Sequence, residues 1–307
     1  MAITSATVAI LVAEFLRHRK RPLPAYGWLG LVALAGAQWL TFRGVEPVAT
    51  YLTPIAWSAY ILVADAAVLA VAGASRLHNA PRAFGQMALL SIPLWLIFEG
   101  YNLRLANWTY VGLPENWLAR TFGYAWSFAT ITPGIFVTAD LIASFRWFEQ
   151  PSRPVKFSLS TERAMTALGA ILLTVPLVVP KGPASYLFAL VWLGFVLLLE
   201  PVNYRLRLPS LLADLEQGRR ERLYALLTSG WVCGWLWEFW NWWASAKWLY
   251  IFPMFQGWKI FAMPAPGYVG FLSFALECFA MYVFAAWFLG RLGFSSGRDA
   301  SRGTQKI

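Results

Sequence analysis

The chain has 307 residues, of which 59% are hydrophobic and only 13% charged, and its mean hydropathy is positive. Such a composition excludes an ordinary soluble domain and leaves an integral membrane protein. The formal charge of +10 does not point to nucleic acid, because Lys and Arg fall between apolar runs, where they fix orientation and touch anionic headgroups.

Several runs approach the ~20 apolar residues that a helix needs to cross a bilayer. The alternating short strands of a barrel are absent, so helices must satisfy the backbone in lipid. The expected fold is all-α, with about eight transmembrane helices arranged as two four-helix repeats in parallel orientation.

Residues 1–22 open the chain with a short apolar run that carries Glu14 and leads into Arg17-His-Arg-Lys-Arg21. Charge after the apolar run reverses the order of a signal peptide. An interfacial helix or a short extra span remains, and the former is preferred. The spans are expected at 24–42, 52–74, 84–101 and 124–145, forming a first repeat over 23–148. A linker at 149–163 contains Glu149-Gln-Pro-Ser-Arg-Pro154. Spans at 164–180, 186–204, 223–241 and 267–290 form a second repeat over 164–292. Between the second and third of these, Leu208–Arg222 is amphipathic and reads as a short helix on the membrane surface. Residues 293–307, rich in Ser, Gly and Arg, read as a disordered tail.

The duplication rests on a matched signature. The third span ends in Glu99-x-x-Asn102 followed by Trp108-x-Tyr110, and the seventh in Glu238-x-x-Asn241 followed by Trp248-x-Tyr250. The glutamates are 139 residues apart and the tryptophans 140. Nineteen of the 25 Lys and Arg gather on one side of the predicted spans, which makes that side, with both basic termini, cytoplasmic in a bacterial-type inner or plasma membrane. The aromatic loops 102–122 and 242–266 then face outward. Even numbers of spans relate the halves by an axis along the membrane normal.

Six carboxyls fall inside spans: Asp65, Glu99, Asp140, Glu200, Glu238 and Glu277. A carboxylate at the bilayer centre costs at least ~2.5–3.5 kcal/mol, so each needs a partner, a polar cavity or a proton. Glu200, close to Arg205, reads as a helix-end carboxyl. Glu238 reads as functional, because Trp231, Trp235, Glu238 and Trp242 follow i, i+4, i+7, i+11 spacing and share a helix face, with Asn241 beside them. A protonated carboxyl oriented by Asn241 and walled by indoles can protonate a hydrocarbon double bond, and the ring faces can stabilise the cation. Glu277 and Asp65 are candidate second carboxyls. The first copy keeps Glu99 and Asn102 but has Ile92, Leu96 and Leu103 in place of the tryptophans, which makes it the scaffold. Trp248, Tyr250, Lys247 and Lys259 are candidate substrate contacts in an apolar loop that lies on or re-enters the membrane. The two lysines either hold a lipid phosphate or snorkel to the interface. Cys233 and Cys278 read as small buried residues, while His18 and His78 lie in basic loops, so no metal or cofactor is expected.

The order of acidic helix end, Trp-x-Tyr, proline, aromatic loop and proline-led span, carried by Glu238, Tyr250, Pro253 and Pro264, resembles the membrane carotenoid cyclases and carotenoid hydratases. The resemblance implies an all-helical protein that acts on isoprenoid double bonds through membrane carboxylates without a metal. Four spans per repeat differ from the usual three, and the adjacent acidic pair of such cyclases is missing here. The leading expectation is a lyase or isomerase acting on a membrane lipid or isoprenoid. The alternatives are a lipid or solute transporter with a proton-linked carboxyl path, and a subunit of a larger membrane complex or homo-oligomer.

Overall fold

In the computed structural model, residues 2–292 are described, and the chain is mostly helical. The expected tail at 293–307 lies outside these residues. α1 (Ala2–His18) is followed by α2 (Ala25–Phe42), α3 (Leu52–Ala72), α4 (Arg76–Asn79) and α5 (Pro81–Leu105). Strand β1 (Trp108–Val111) then leads to α6 (Trp117–Ala129) and α7 (Ile131–Ser144). The second half runs α8 (Leu159–Val178), α9 (Lys181–Ala184), α10 (Phe188–Arg205), α11 (Leu211–Glu216) and α12 (Glu221–Trp243). It closes with β2 (Lys247–Tyr250), β3 (Lys259–Ile260), β4 (Met263–Pro264) and α13 (Tyr268–Arg291).

Among the described residues, six stretches are long and apolar enough to cross a membrane: 52–72, 81–105, 117–144, 159–178, 188–205 and 265–291. The first and seventh expected spans also form helices, α2 and α12, of 18 and 23 residues. Gln38 in the first, and Glu238, Asn241 and the weakly hydrophobic indoles in the second, set them apart from the six.

Local chemistry explains several boundaries. Gly73, at φ 81°, closes α3, a left-handed turn that glycine adopts without strain. The expected fourth span starts earlier and breaks once. Asn116 caps α6 by accepting from the Leu118 and Ala119 amides, and the helix stops at Thr130 because Pro133 has no N–H to continue the ladder. α8 begins at Leu159, inside the expected linker, because Ser158 accepts the Thr161 N–H at 3.1 Å and Arg205 holds Glu162 at 2.7 Å. The amphipathic segment 208–222 contains the short helix α11, with Leu211, Leu212 and Asp214 buried. α1 packs on α12 and α3, and its Glu14 accepts the Trp147 indole N–H at 2.9 Å.

The core lies among α3, α7, α12 and α13, where Trp57, Phe136, Leu226 and Phe279 are fully buried. α2 packs on the outside of α3 and α8 on the outside of α10. These outer helices and α5 expose Trp28, Val32, Leu89, Leu103, Ile171 and Val178, an apolar perimeter suited to lipid. At the α12–α13 contact Gly230 sits directly on Phe271, and a Cβ there would overlap the Phe271 carbonyl oxygen. Gly230→Ala is therefore expected to cost about 1–3 kcal/mol through overpacking. Thermal unfolding in detergent checks this; an unchanged midpoint would mean that the helices separate freely.

One feature departs from the all-helical expectation. The two aromatic loops pair as an antiparallel ribbon, with Trp108 opposite Tyr250 and Tyr110 opposite Trp248. The matched Trp-x-Tyr motifs thus face each other in a register that exchanges one motif for the other, as a local two-fold axis requires. Within loop 242–266, β3 pairs with β4; Ala262 and Met263 are buried, while Phe255 and Trp258 stay exposed.

Candidate functional site

The six span carboxyls separate into groups. Asp65 accepts the Tyr26 hydroxyl at 2.8 Å, the Ser75 hydroxyl at 2.7 Å and the Leu77 N–H at 2.9 Å. Glu200 accepts the Leu211 N–H at 2.7 Å and, more weakly, the Leu212 N–H at 3.4 Å. Each therefore caps the short helix that follows its own span, α4 or α11. Asp140 is held by Arg76, whose Nη2 lies 3.0 Å from Oδ1 and whose Nε donates to Oδ2. All three belong to the basic end. Asp65 as a second catalytic carboxyl is thereby corrected: it lies eleven residues, about 16 Å of helix, beyond Pro54 at the cavity described below. Glu277 is fully buried against α10, accepting the Phe195 N–H at 3.3 Å, and does not line that cavity either.

Glu99 and Glu238 sit at the opposite end, beneath the ribbon, in two matching arrangements. Asn102 Nδ2 donates to the Trp108 carbonyl at 2.9 Å, and the Trp108 N–H returns to Asn102 Oδ1 at 2.9 Å. Asn241 and Trp248 repeat both bonds at 2.9 Å. Each asparagine thus pins its own strand. The role expected for Asn241, orienting Glu238 directly, is corrected: its amide is consumed by the Trp248 backbone, which in turn places the aromatic donors. The Tyr110 hydroxyl donates to Glu99 at 2.6 Å, joined by the Trp95 indole at 2.8 Å. The Tyr250 hydroxyl donates to Glu238 at 3.0 Å, with the Trp248 indole 3.0 Å from the phenol oxygen and 3.4 Å from the carboxyl. Glu238 is fully buried beneath the Ala262–Met263 turn, whose backbone N–H groups face the carboxyl.

Burial first, and then the adjacent Glu238 and Glu99 carboxyls, raise the Tyr250 and Tyr110 phenols well above the ordinary value of 10.0. Both stay protonated donors. Because their folded values exceed the unfolded one, they contribute stability below pH ~10 that is lost as pH rises through the folded values. Tyr250→Phe or Tyr110→Phe is expected to leave unchanged the tyrosinate absorbance that develops near pH ~10 in the folded protein. A smaller amplitude in either variant would show that the phenol reaches water.

Between the two centres lies a cavity of about 660 Å³, within the ~300–1,000 Å³ typical of sites that enclose one small molecule. Trp95, Trp108, Tyr110 and Phe128 line it from the first half; Trp192, Trp237, Trp248, Tyr250 and Phe274 line it from the second. Neither Glu99 nor Glu238 reaches the surface of the cavity: each carboxyl meets it through its tyrosine and tryptophan.

The predicted indole wall is elsewhere. Trp231 and Trp242 are 37% and 46% exposed on the perimeter, and Trp235 is buried in a stack on Tyr268 at 4.1 Å. The common helix face is real, but α13 and the buried Ala262–Met263 turn cover its middle and leave its ends open. α12 meets the cavity through Leu227 and Trp237 instead. Lys247, Trp248 and Tyr250 do line the cavity, whereas Lys259 does not. In the first half, Glu99, Tyr110 and Trp95 form a hydrogen-bonded cluster that matches the one around Glu238. Sequence reasoning missed Trp95, Trp192, Arg120 and Phe274. Trp95, four residues before Glu99 on the same helix face, was detectable; the other three reach the cavity only through tertiary packing.

No protein-family model, curated protein or solved structure matches this chain.

Proposed function

We propose that the chain is a polytopic enzyme of eight spans in two parallel repeats, basic side cytoplasmic, that takes an isoprenoid or similar lipid from the bilayer and modifies it by proton transfer. The observation that carries this reading is the aromatic cavity flanked by two carboxyl–phenol pairs, of which Glu238–Tyr250 is buried. Glu238 is the acid and Tyr250 its contact with substrate. In the reacting state Glu238 is protonated and the hydrogen bond is reversed, so that the carboxyl O–H donates to the Tyr250 oxygen and the Tyr250 O–H turns to the cavity. As the hydroxyl gives its proton to an alkene carbon, Glu238 passes its own proton to the phenol oxygen. The cation formed rests against the faces of Trp237, Trp248 and Phe274, where ring quadrupoles favour it. Loss of a proton from a neighbouring carbon, returned along the same path, restores Glu238 and yields an isomerised or cyclised alkene. Capture of water by the cation, with the oxonium proton returned through Tyr250 to Glu238, gives the hydrated product and restores the acid. A preorganised site must supply much of the stabilisation, because a phenol is a weak acid.

The distribution of carboxyls supports this over transport. Three of the six are engaged as helix caps or an ion pair at the basic end rather than arrayed along a path, and the two beneath the ribbon flank one cavity. Mass spectrometry of lipid extracts from cells expressing wild-type chain or Glu238→Gln tests the proposal. The product is expected to disappear as its precursor accumulates; identical extracts would overturn it.

A further inference from the structure

The cavity carries a charge pattern that alkene chemistry does not explain. Arg120 and Lys247 line it, while no Asp or Glu does. The Arg120 guanidinium makes no hydrogen bond or ion pair among the described residues. Lys247 Nζ donates only to the Trp242 carbonyl, at 3.1 Å, which leaves its charge uncompensated.

Both cations line this one cavity. Lys247 stands opposite Val111 in the ribbon, and Leu113 and Pro114 beyond it continue the lining toward Arg120 on α6. The Tyr51 hydroxyl donates to the Ala119 carbonyl at 3.0 Å, and the Ser245 N–H donates to the Ala49 carbonyl at 2.9 Å, which ties the turn before α3 to both sides. Glu46, the acid in that turn, accepts the Thr50 N–H at 3.0 Å. The rest of the lining is largely aromatic and aliphatic.

Arg120 and Lys247 are half-buried and keep access to water, so each is free to exchange hydration for an anionic ligand that enters the cavity. Two that line one cavity, one a planar fork and one a point charge, suit the oxygens of a phosphate. We propose that Arg120 and Lys247 hold the phosphate head of a single-chain lipid whose hydrocarbon tail fills the aromatic cavity. This deepens the proposed function and rests on it for the tail. The head is anchored at the aromatic-loop end, and the chain runs past both tyrosines.

The test uses the full chain in phosphatidylcholine nanodiscs, so that bulk headgroup phosphate is present in every arm. Binding of a prenyl monophosphate and of the prenol of equal chain length is read from intrinsic tryptophan fluorescence. The monophosphate is expected to bind at least about tenfold more tightly, with the preference shrinking as salt rises. Arg120→Gln with Lys247→Gln should erase the preference while prenol affinity persists, which shows the cavity intact; Arg120→Lys with Lys247→Arg should restore part of it. Equal affinities in the wild type, or a preference that survives the double Gln variant, would overturn the head-group assignment and leave the Glu238 reading standing. Failure of both ligands to bind would overturn the assignment together with the lipid reading. Unchanged products in Glu238→Gln, with selective monophosphate binding intact, would remove the catalytic reading alone.

Discussion

Arg76→Ala is expected to destabilise the protein by about 3–5 kcal/mol, the scale for stripping one partner from a buried ion pair. Arg76 and Asp140 are only 9% and 12% exposed at their side chains, and the guanidinium also lies over the Phe136 ring, 5.1 Å from its centroid. Removing the arginine leaves a carboxylate between α4 and α7 with its main counter-charge gone. The cost is mostly that of the orphan rather than the worth of the pair, so Arg76→Ala combined with Asp140→Asn should recover much of the loss. Thermal unfolding of the purified chain in detergent is the measurement. A loss within about 1 kcal/mol, the range of an exposed pair, would mean that water reaches Asp140.

The second large effect is on chemistry. Glu238→Gln keeps the shape and one hydrogen-bond acceptor for Tyr250 but removes the exchangeable proton, and turnover should fall about a hundredfold to ten-thousandfold. Tyr250→Phe should lose comparably, because Trp248, the other ring between the carboxyl and the cavity, has an indole N–H that does not relay a proton. Glu99→Gln should lose less: Glu99 is only partly buried, and its Tyr110 bond is matched by one from Trp95 on its own helix. Equal losses at Glu99 and Glu238 would make the centres joint participants and displace Glu238 as the acid. Retained turnover in Tyr250→Phe would break the relay while leaving the fold untouched.

The two centres show why a repeated motif can be read correctly and its working parts only incompletely. The Glu-x-x-Asn and Trp-x-Tyr spacings are local, and the hydrogen bonds they make, asparagine to strand and tyrosine to glutamate, close within about a dozen residues. Such pairs are visible as spacing. The pairing of Trp108 with Tyr250 joins residues from opposite halves, and nothing in either segment encodes its partner. In sequence Asp65 reads as a candidate second carboxyl and Glu200 as a helix-end carboxyl; the amides they accept belong to short helices whose approach depends on how the chain turns at the basic end.

Apolar length and the matched carboxyl motifs were sufficient, from sequence alone, to define a helical membrane protein and to place its helices, since hydrophobic burial in lipid and intrahelical hydrogen bonding act over one segment at a time. Which aromatic rings enclose the cavity, which carboxyls are spent as caps, and that Arg120 and Lys247 line the same cavity were decided by tertiary structure. These depend on helix rotation and on long-range pairing, and Trp231, Trp235 and Trp237, on one helix, meet lipid, core and cavity according to what packs against each.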